Sequence, residues 1–586
     1  MAKRQILRRS VTPFISLSFG FFLLASFAAA SYAQDERVTV VRVGLLIDGS
    51  GGEPIKNAVI VIKGKRIEAV GRSGDIKLPQ GTKIIDLRNK VAILGLVDAH
   101  SHYREWMGEL YVNHGVTTAL DIGAGVGAWT VAQRDGINKG LIVGPRLLWG
   151  PRMNAPSKDP SLGEEPAEAV VTSPEQARKE TQRLIAASAD LIKALENLTT
   201  EQLKVIVEEA HRAGKRVVTH SINGPEAVFA GVDVDSIEHS FSVGLATVAS
   251  EESRKKLQEG RTRRVNRMTT QEVHAFMEEG QYDRVIQALV KKGVHWTPTL
   301  ANSWRAVSPR REKYLAEEMK LLALPGLRYV PSYFRLNNKE YFEGTAKLDP
   351  KLLEDIQTGY RKTKDLVLRF AKAGGKLQTG SDPNSVVPGL PIHYEMEIFV
   401  EAGLSPMEAL VAATRNTAER LDRDKDFGMI APGRFADIVI INRNPLEDIS
   451  ATREIDLVFQ EGKAIKPAYH AEFRNPIRQP FPDREAPEIT SVSPRSVKQG
   501  QGPVQLNITG KNFMSAAVVK INGKAVPTEV KFTPINFPQN GRKTNQIVAT
   551  VDPKLIAKAG RYSVVVEHEG MGGEVSNAAY LLVDFK

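Results

Sequence analysis

The stretch from residue 92 to residue 102 reads AILGLVDAHSH, an apolar run that ends in an aspartate and two histidines. If this run is a β-strand, the side chains of His100 and His102 project on the same side, because side-chain direction repeats every two residues in a strand. Two imidazoles at one strand end supply half of a typical metal site. The stretch therefore predicts a metal centre whose other ligands come from elsewhere in the chain.

Composition limits the class of protein and the ligands of such a site. The 586 residues are 42% hydrophobic and 25% charged, which is typical of a globular chain and, at this length, of roughly three or four domains. Cysteine is absent, so disulfides, thiolate ligands and thiol catalysis are excluded, and nitrogen and oxygen atoms must hold any metal. The net charge of +11 falls to +7 without the four basic residues among the first 33. This charge is mild for the length, and we expect no nucleic-acid partner.

The first 33 residues have the organisation of a secretory signal peptide. Four basic side chains precede the apolar segment Phe14–Ala30, and residues 31–33 place small side chains where a signal peptidase reads. We expect cleavage after Ala33 and a secreted or periplasmic protein. An uncleaved anchor is the alternative, although the apolar segment is short for a membrane span.

The remaining chain divides into β-rich parts and a part that alternates strands with helices. Residues 34–90 and 427–470 contain short strand-like runs separated by glycine turns, so we predict one small β domain built from both flanks. Residues 471–486 are rich in proline and charge, which is typical of a linker. Residues 487–586 contain six visible strand-like runs, which predict an immunoglobulin-like β-sandwich.

Residues 91–426 have the pattern of an α/β protein and predict a TIM-like (β/α)8 barrel. Strand-like runs alternate there with helix-compatible segments, as expected for a parallel sheet. One such segment, TEQLKVIVEEAHRA at residues 200–213, precedes Gly214, which is a helix-stop signal. The eight candidate strands are Ala92–Val97, Thr117–Ile122, Arg146–Gly150, Leu191–Ala194, Arg216–Thr219, Ser236–Glu238, His295–Thr299 and Lys376–Thr379.

Side chains with metal-binding chemistry accompany several of these predicted strands. His220 ends the fifth strand and His239 the sixth, while Lys193 lies in the fourth and Asp382 follows the eighth. Barrel enzymes carry their chemistry at the carboxyl ends of the strands, so these groups should meet the histidine pair of the first strand in one bowl. A free ammonium would repel metal cations, whereas a lysine carbamylated by CO2 is an anion with two oxygens that can bridge two metals.

The motif GLVDAHSH resembles the first motif of the amidohydrolase superfamily. The lysine, the two histidines and the aspartate at strands four, five, six and eight complete that superfamily's two-metal pattern. The tail, MEALVAATRNTAERL followed by GMIAPGRFADIVIINRNPL, is similar to the imidazolonepropionase-like and Xaa-Pro dipeptidase-like members. This resemblance covers residues 38–470, while the C-terminal segments ITSVSPRSVKQG and LNITGKNF resemble an IPT/TIG domain.

The resemblance implies a two-metal centre with a role for each side chain. The implied metal ligands are His100, His102, Lys193, His220, His239 and Asp382. Carbamylated Lys193 would lie between two divalent cations; zinc suits such ligands, and the spacing leaves manganese, cobalt and iron open. Two such cations would lower the pKa of a bridging water to near neutrality. Asp382 would take the proton and pass it to the leaving nitrogen.

The implied activity is hydrolysis of an amide or another C–N bond in a small molecule or dipeptide. Lys193 favours the peptidase-like branch, because the imidazolonepropionase-like members do not use a lysine at the fourth strand, and an Xaa-Pro-type dipeptidase is the expected activity. Two alternatives stay open: a hydrolase of a cyclic amide and, from another class, a surface binding protein with an inactive barrel. The candidate substrate contacts are Tyr103, Arg104 and His295. We also leave open a homodimer and a C-terminal domain that contacts another protein or a surface.

Overall fold

A computed structural model describes most of the chain after residue 37. The described ranges are 38–78, 82–123, 127–156, 167–220, 224–255, 273–383, 386–478, 480, 486–514, 516–531, 543–570 and 574–585. The predicted signal peptide lies outside these residues, and so do positions 479 and 481–485 of the predicted linker. Within the described ranges, no helix combines the length and the apolar character that crossing a bilayer requires.

A seven-stranded sheet joins the two flanks of the barrel. The strand Lys83–Leu94 runs parallel to Val38–Leu46 on one side and antiparallel to Ile438–Ile441 on the other. The tail of the chain thus completes a sheet that the beginning of the chain starts, as the strand-like runs on both flanks predict. In sheet order, the strands are Lys463–Ile465, Ile455–Gln460, Ile438–Ile441, Lys83–Leu94, Val38–Leu46, Ile55–Lys63 and Arg66–Arg72.

The first predicted barrel strand, Ala92–Val97, is wrong in its bounds. Its first three residues end the strand Lys83–Leu94 of the flanking sheet, and the barrel strand is Leu96–Ser101. Gly95 separates the two, and a β-carbon there would lie 2.1 Å from Thr117 Oγ1, so the chain crosses between sheets where no side chain fits. Hydrophobicity does not show this boundary, because the last four residues of the first strand and the whole of Leu96–Ser101 are buried.

The predicted TIM-like barrel is confirmed, and hydrogen bonds close its ring. The Ala99 N–H donates to the Thr379 carbonyl at 2.9 Å, which joins the eighth segment to the first, and Leu377 bridges to Trp296. The third predicted barrel strand is divided into two short strands. Arg146–Trp149 pairs with the second barrel strand, and Arg152–Asn154 pairs with the fourth. The other strands are Leu96–Ser101, Val116–Asp121, Ala169–Val170, Leu191–Ala194, Arg216–Thr219, Ser236–Glu238 and His295–Thr297.

Helices follow the barrel strands, and local sequence explains several of their ends. Helix Thr200–Arg212 begins at a capping box in which Thr199 and Gln202 satisfy each other's backbone N–H, and it stops before Gly214 at φ 67°. The other helices up to strand His295–Thr297 are Gly108–Asn113, Gly127–Asn138, Pro174–Ala186, Gly224–Phe229, Ser240–Ala246 and Tyr282–Lys291, with 3-10 turns Val273–Phe276 and Glu279–Gln281.

A helical segment follows the seventh barrel strand and packs against the first βα loop. The rings of Trp106 and Phe334 lie 4.7 Å apart, so this segment covers the loop that follows His102. The helices from here to the flanking sheet are Leu300–Trp304, Arg311–Leu322, Ser332–Ala346, Pro350–Lys372, Leu390–Ala402, Pro406–Ala412 and Arg415–Arg420, with 3-10 turns Pro325–Leu327 and Ile449–Arg453.

Two further sheets enclose a separate apolar core in the C-terminal region. One sheet has the order Glu488–Ser493, Val504–Met514, Lys543–Val551 and Thr528–Val530; the other has the order Ser496–Lys498, Ala579–Asp584, Gly560–His568, Ala517–Ile521 and Lys524–Val526. The Ser332 N–H donates to the Glu569 carbonyl at 3.0 Å, which ties this region to the helical segment. The resemblance to an IPT/TIG domain and to an immunoglobulin-like sandwich stays a prediction.

Two buried histidines, His114 and His393, connect helix Leu390–Ala402 to the C-terminal end of helix Gly108–Asn113. His393 Nε2 lies 2.9 Å from the carbonyl oxygen of His114, and its Nδ1 lies 2.9 Å from Thr452 Oγ1. Burial lowers the pKa of His114 to about 4 and lowers the pKa of His393 well below its usual value. Both rings are therefore neutral in the folded protein at neutral pH.

We expect the free energy of unfolding to fall as the pH drops from about 6.5 toward 4. Unfolded histidines take up protons near pH 6.5 while the buried pair does not, so each histidine costs up to about 1.4 kcal/mol per pH unit in this range. Urea titrations of the metal-free protein, followed by tryptophan fluorescence, measure the slope. His393→Gln should flatten it, and an unchanged slope in that variant would contradict the assignment.

Candidate metal centre

The predicted metal ligands all lie at the carboxyl ends of barrel strands. His100 is inside the strand Leu96–Ser101 and His102 directly follows it, while Lys193 is inside Leu191–Ala194. His220 and His239 directly follow their strands, and Asp382 follows the eighth segment. The structure thus brings together the side chains that the sequence assigns to one centre: His100, His102, Lys193, His220, His239 and Asp382.

Distances within the centre show one continuous cluster. Lys193 Nζ lies 3.3 Å from His100 Nε2, and His102 Nε2 lies 3.0 Å from Asp382 Oδ1. The His239 ring is centred 4.5 Å from the His100 ring and 4.3 Å from the His220 ring. The potential ligand atoms of His100, His102 and Asp382 lie within 4.8 Å of one another. These spacings allow several of the side chains to contact the same ion.

The hydrogen bonds of His100 determine which of its nitrogens faces the cluster. Nδ1 donates to Glu238 Oε2 at 2.7 Å, so the lone pair of Nε2 points inward. Glu238 is fully buried, accepts from the Ser236 hydroxyl at 2.9 Å and lies 3.5 Å from the guanidinium of buried Arg420. The sequence interpretation missed this carboxylate; its signal is an acid at the last position of a short strand, directly before a candidate ligand histidine.

His220 presents a buried nitrogen to the cluster. Its Nδ1 has no hydrogen-bond partner among the described residues, and its Nε2 lies 3.8 Å from Glu196 Oε1. A buried polar atom without a partner is costly, and a metal ion would satisfy it. The donor set of neutral imidazoles and a carboxylate therefore fits a divalent cation.

The electrostatics of the cluster keep its ligands in their metal-binding forms. Burial lowers the pKa of His100, His102 and His220, and the nearby Lys193 lowers each of them further. Burial opposes ionisation of Asp382, but the hydrogen bond and attraction from His102 hold the pKa of that carboxyl well below its usual range. Neutral imidazoles and an ionised carboxylate are the protonation states that metal binding requires.

The amidohydrolase family model matches residues 91–465 of this sequence. The chain belongs to the amidohydrolase family.

Two relatives illustrate how far the likeness extends. An ochratoxinase from Aspergillus niger is 25% identical over 495 residues, which cover 74% of this chain and 85% of that protein. Its crystal structure superimposes with a TM-score of 0.51 at 23% identity, over 75% of this chain and 99% of that one. A Xaa-Pro dipeptidase with bound methionine in its active site gives a TM-score of 0.52 at 21% identity, over 73% and 100% of the two chains. At these identities the structural matches show the fold.

The centre of this amidohydrolase also contains an arginine that the sequence interpretation missed. Arg152 is the register partner of Lys193 on the neighbouring strand, and its Nη2 lies 3.0 Å from His102 Nδ1. A β-carbon at Gly123 would lie 2.2 Å from this guanidinium and 2.4 Å from His102 Nδ1, so only glycine fits beside them. The arginine thus places a permanent positive charge beside His102, one of the candidate ligands.

The predicted substrate contacts of this amidohydrolase occupy three different environments. Tyr103 is fully buried and its ring stacks on Tyr111 with centroids 6.2 Å apart, so it is part of the core. His295 begins its strand, at the end opposite to the metal ligands, and burial lowers its pKa to about 3. The structure places neither side chain among the candidate ligands, and substrate contact by these two residues stays a prediction. Arg104 is half-buried in the loop after His102 and stays a candidate.

Proposed function

We propose that this member of the amidohydrolase family is a metal-dependent hydrolase of amide bonds with two divalent cations. The observation that carries the proposal is the convergence of four imidazoles, a carboxylate and a buried lysine at the carboxyl ends of the barrel strands. Each group comes from a different part of the chain or a different strand position. Burying so many ionisable side chains together is costly, and bound metal ions would offset that cost.

The chain's own residues divide between two cation positions in this proposal. His100, His102 and Asp382 would hold one ion, and His220 and His239 would hold the other. Lys193 would serve both ions as a carbamate, formed when its amine nitrogen attacks CO2 and releases one proton. The resulting anion suits a fully buried position beside His100, where an ammonium would face divalent cations.

The residues of the site account for the proton movements of amide hydrolysis. Bound divalent cations supply an activated water near neutral pH and polarise the substrate carbonyl. Asp382, ionised in the free protein, takes the proton from the attacking water and gives it to the departing nitrogen. In the metal-free protein the Oδ1 atom of this carboxylate lies 3.0 Å from His102 Nε2, so it faces the other candidate ligands.

The substrate proposed is a small molecule or a dipeptide of the Xaa-Pro type. The likeness to a Xaa-Pro dipeptidase structure supports this class, and the buried Lys193 supports the peptidase-like branch over a hydrolase of a cyclic amide. A surface binding protein with an inactive barrel is the third candidate, and the complete ligand set argues against it. The apolar N-terminal segment supports secretion or a periplasmic location, and a homodimer and a partner of the C-terminal region are further proposals.

Removal of metal tests the proposed function directly. We expect the purified protein to contain about two equivalents of divalent metal, to lose activity on Xaa-Pro dipeptides or N-acyl amino acids after chelation, and to regain it with zinc, manganese or cobalt. Elemental analysis and a parallel activity assay measure both quantities. A protein that binds none of these metals would overturn the proposal, and activity confined to cyclic amides would select the second candidate.

A further inference from the structure

The chain leaves the seventh barrel strand through a residue in an unusual conformation. Thr299 has φ 50° and ψ 43°, the left-handed region, which a β-branched residue rarely adopts. The residue is fully buried, so the conformation is held by its surroundings rather than by solvent. Strain of this kind at a β-branched position directs attention to what the side chain contacts.

Thr299 occupies the N-cap position of helix Leu300–Trp304 without capping it. A threonine at this position normally accepts a hydrogen bond from the first helical N–H groups. Here the buried carboxylate of Glu395 accepts them instead, from Leu300 at 3.0 Å and from Ala301 at 2.6 Å. The hydroxyl of Thr299 is therefore available for His239, whose Nδ1 lies 2.7 Å from Thr299 Oγ1.

One helical turn further on, the same short helix contacts a second ligand. The Asn302 side-chain N–H donates to Asp382 Oδ2 at 2.8 Å. The Tyr341 hydroxyl donates to the Asn302 carbonyl at 3.0 Å, which fixes the turn from the side of the covering helices. Residues 299–302, called the 299–302 turn below, thus contact one ligand from each of the two cation positions.

The two ligands that the turn contacts are themselves in left-handed backbone conformations. His239 has φ 66° and Asp382 has φ 40°. Neither residue is a glycine, so both conformations depend on contacts that hold them in place. For His239 these include its N–H bond to the Thr297 carbonyl at 2.7 Å, and for Asp382 its N–H bond to the His100 carbonyl at 2.8 Å. The 299–302 turn supplies the side-chain contacts that orient the imidazole and the carboxylate.

We infer that the 299–302 turn, anchored by Glu395, is a positioning element that sets the orientation of His239 and Asp382 for metal binding and proton transfer. Thr299 fixes the plane of the imidazole so that Nε2 faces the centre, and Asn302 holds one carboxylate oxygen so that the other faces His102. This inference rests on the proposed function. It adds Thr299 and Asn302 as positioning residues that act through the ligands.

Thr299→Val tests the hydroxyl, because valine keeps the β-branched shape and removes the hydrogen bond. We expect metal affinity to fall by about 10- to 100-fold, the range typical of losing a hydrogen bond that orients a metal ligand. We also expect kcat to change more than KM. Thr299→Ser keeps the hydroxyl and should restore both. Chelator competition and the visible spectrum of the cobalt-loaded protein report the ligand geometry independently of activity.

Two further variants separate positioning from general destabilisation. Thr363→Val removes a buried hydroxyl that donates to the Gly359 carbonyl within helix Pro350–Lys372, and it should leave metal affinity unchanged. Asn302→Leu should alter the cobalt spectrum and lower kcat even if Thr299→Val does not fold. If a folded Thr299→Val or Asn302→Leu variant keeps the wild-type metal affinity, cobalt spectrum and kcat, the positioning inference is overturned and the proposed function stands. If the wild-type protein itself binds no metal, the proposed function is overturned.

Discussion

Asp382→Asn is expected to lower kcat/KM by about 10²- to 10⁴-fold, the contribution typical of a group that moves a proton in the transition state. Asparagine has nearly the same shape and can still contact Asn302, but its amide does not accept a proton. The pKa of Asp382 lies well below its usual range, so the wild-type group is ionised and ready to accept a proton over the whole neutral range. Steady-state kinetics of the metal-loaded protein measure the effect.

The control for this variant is Asp283→Asn, on the exposed face of helix Tyr282–Lys291, where the same change of charge is remote from the centre. The control should retain wild-type kinetics. Because Asp382 is also a proposed ligand, the metal content of the variant is measured in the same preparation. Wild-type kcat/KM in a fully loaded Asp382→Asn protein would refute the proton-transfer role.

Lys193→Met is expected to remove one equivalent of bound metal and to lower kcat/KM by at least about 10²-fold. Methionine approximates the length of the lysine side chain and suits a fully buried position, but it has no amine to react with CO2. Losing a direct metal ligand should lower kcat/KM more than losing a hydrogen bond to a ligand does. The effect typical of such a lost hydrogen bond therefore sets the lower bound. Elemental analysis and kinetics in the presence of bicarbonate measure both effects.

The carbamate itself has a separate signature. Wild-type protein loaded with zinc in ¹³C-labelled bicarbonate should show a carbamate carbon resonance that Lys193→Met lacks. Lys204→Met, at an exposed position of helix Thr200–Arg212, is the matched control and should keep metal, resonance and activity. Two bound metals and full activity in Lys193→Met would refute the bridge, although a hydrolase with another bridging group would still satisfy the broader proposal.

Local sequence patterns predicted the elements whose signals are local. Helix Thr200–Arg212 was expected over residues 200–213, because its capping residues and Gly214 act within one turn of the helix ends. The alternation of apolar strands with helices predicted the barrel, since each βα unit carries its own pattern. The candidate ligand set followed from the rule that the carboxyl ends of such strands meet at one face of the barrel, together with the resemblance to the amidohydrolase superfamily.

Other features depended on contacts between distant segments, and the sequence interpretation missed them. The boundary at Gly95 is set by Thr117 on the next strand, not by a change in hydrophobicity. His295 begins its strand, as the predicted bounds already have it, and lies at the end opposite to the candidate ligands, a consequence that the sequence interpretation did not draw. Glu238 and Arg152 carry no distinctive local motif, and their contacts with His100 and His102 appear only in the folded barrel.

The sequence by itself determined the candidate ligands, because cysteine is absent and the histidines, lysine and aspartate stand at the ends of predicted strands. The tertiary structure alone decided which atom of each ligand faces the centre. His100 lies 138 residues from Glu238 and His239 lies 60 residues from Thr299, yet each pair shares a hydrogen bond that sets the ring. Such contacts arise from the packing of strand against strand and helix against loop. No local pattern encodes them, since the partners meet only after the barrel has closed.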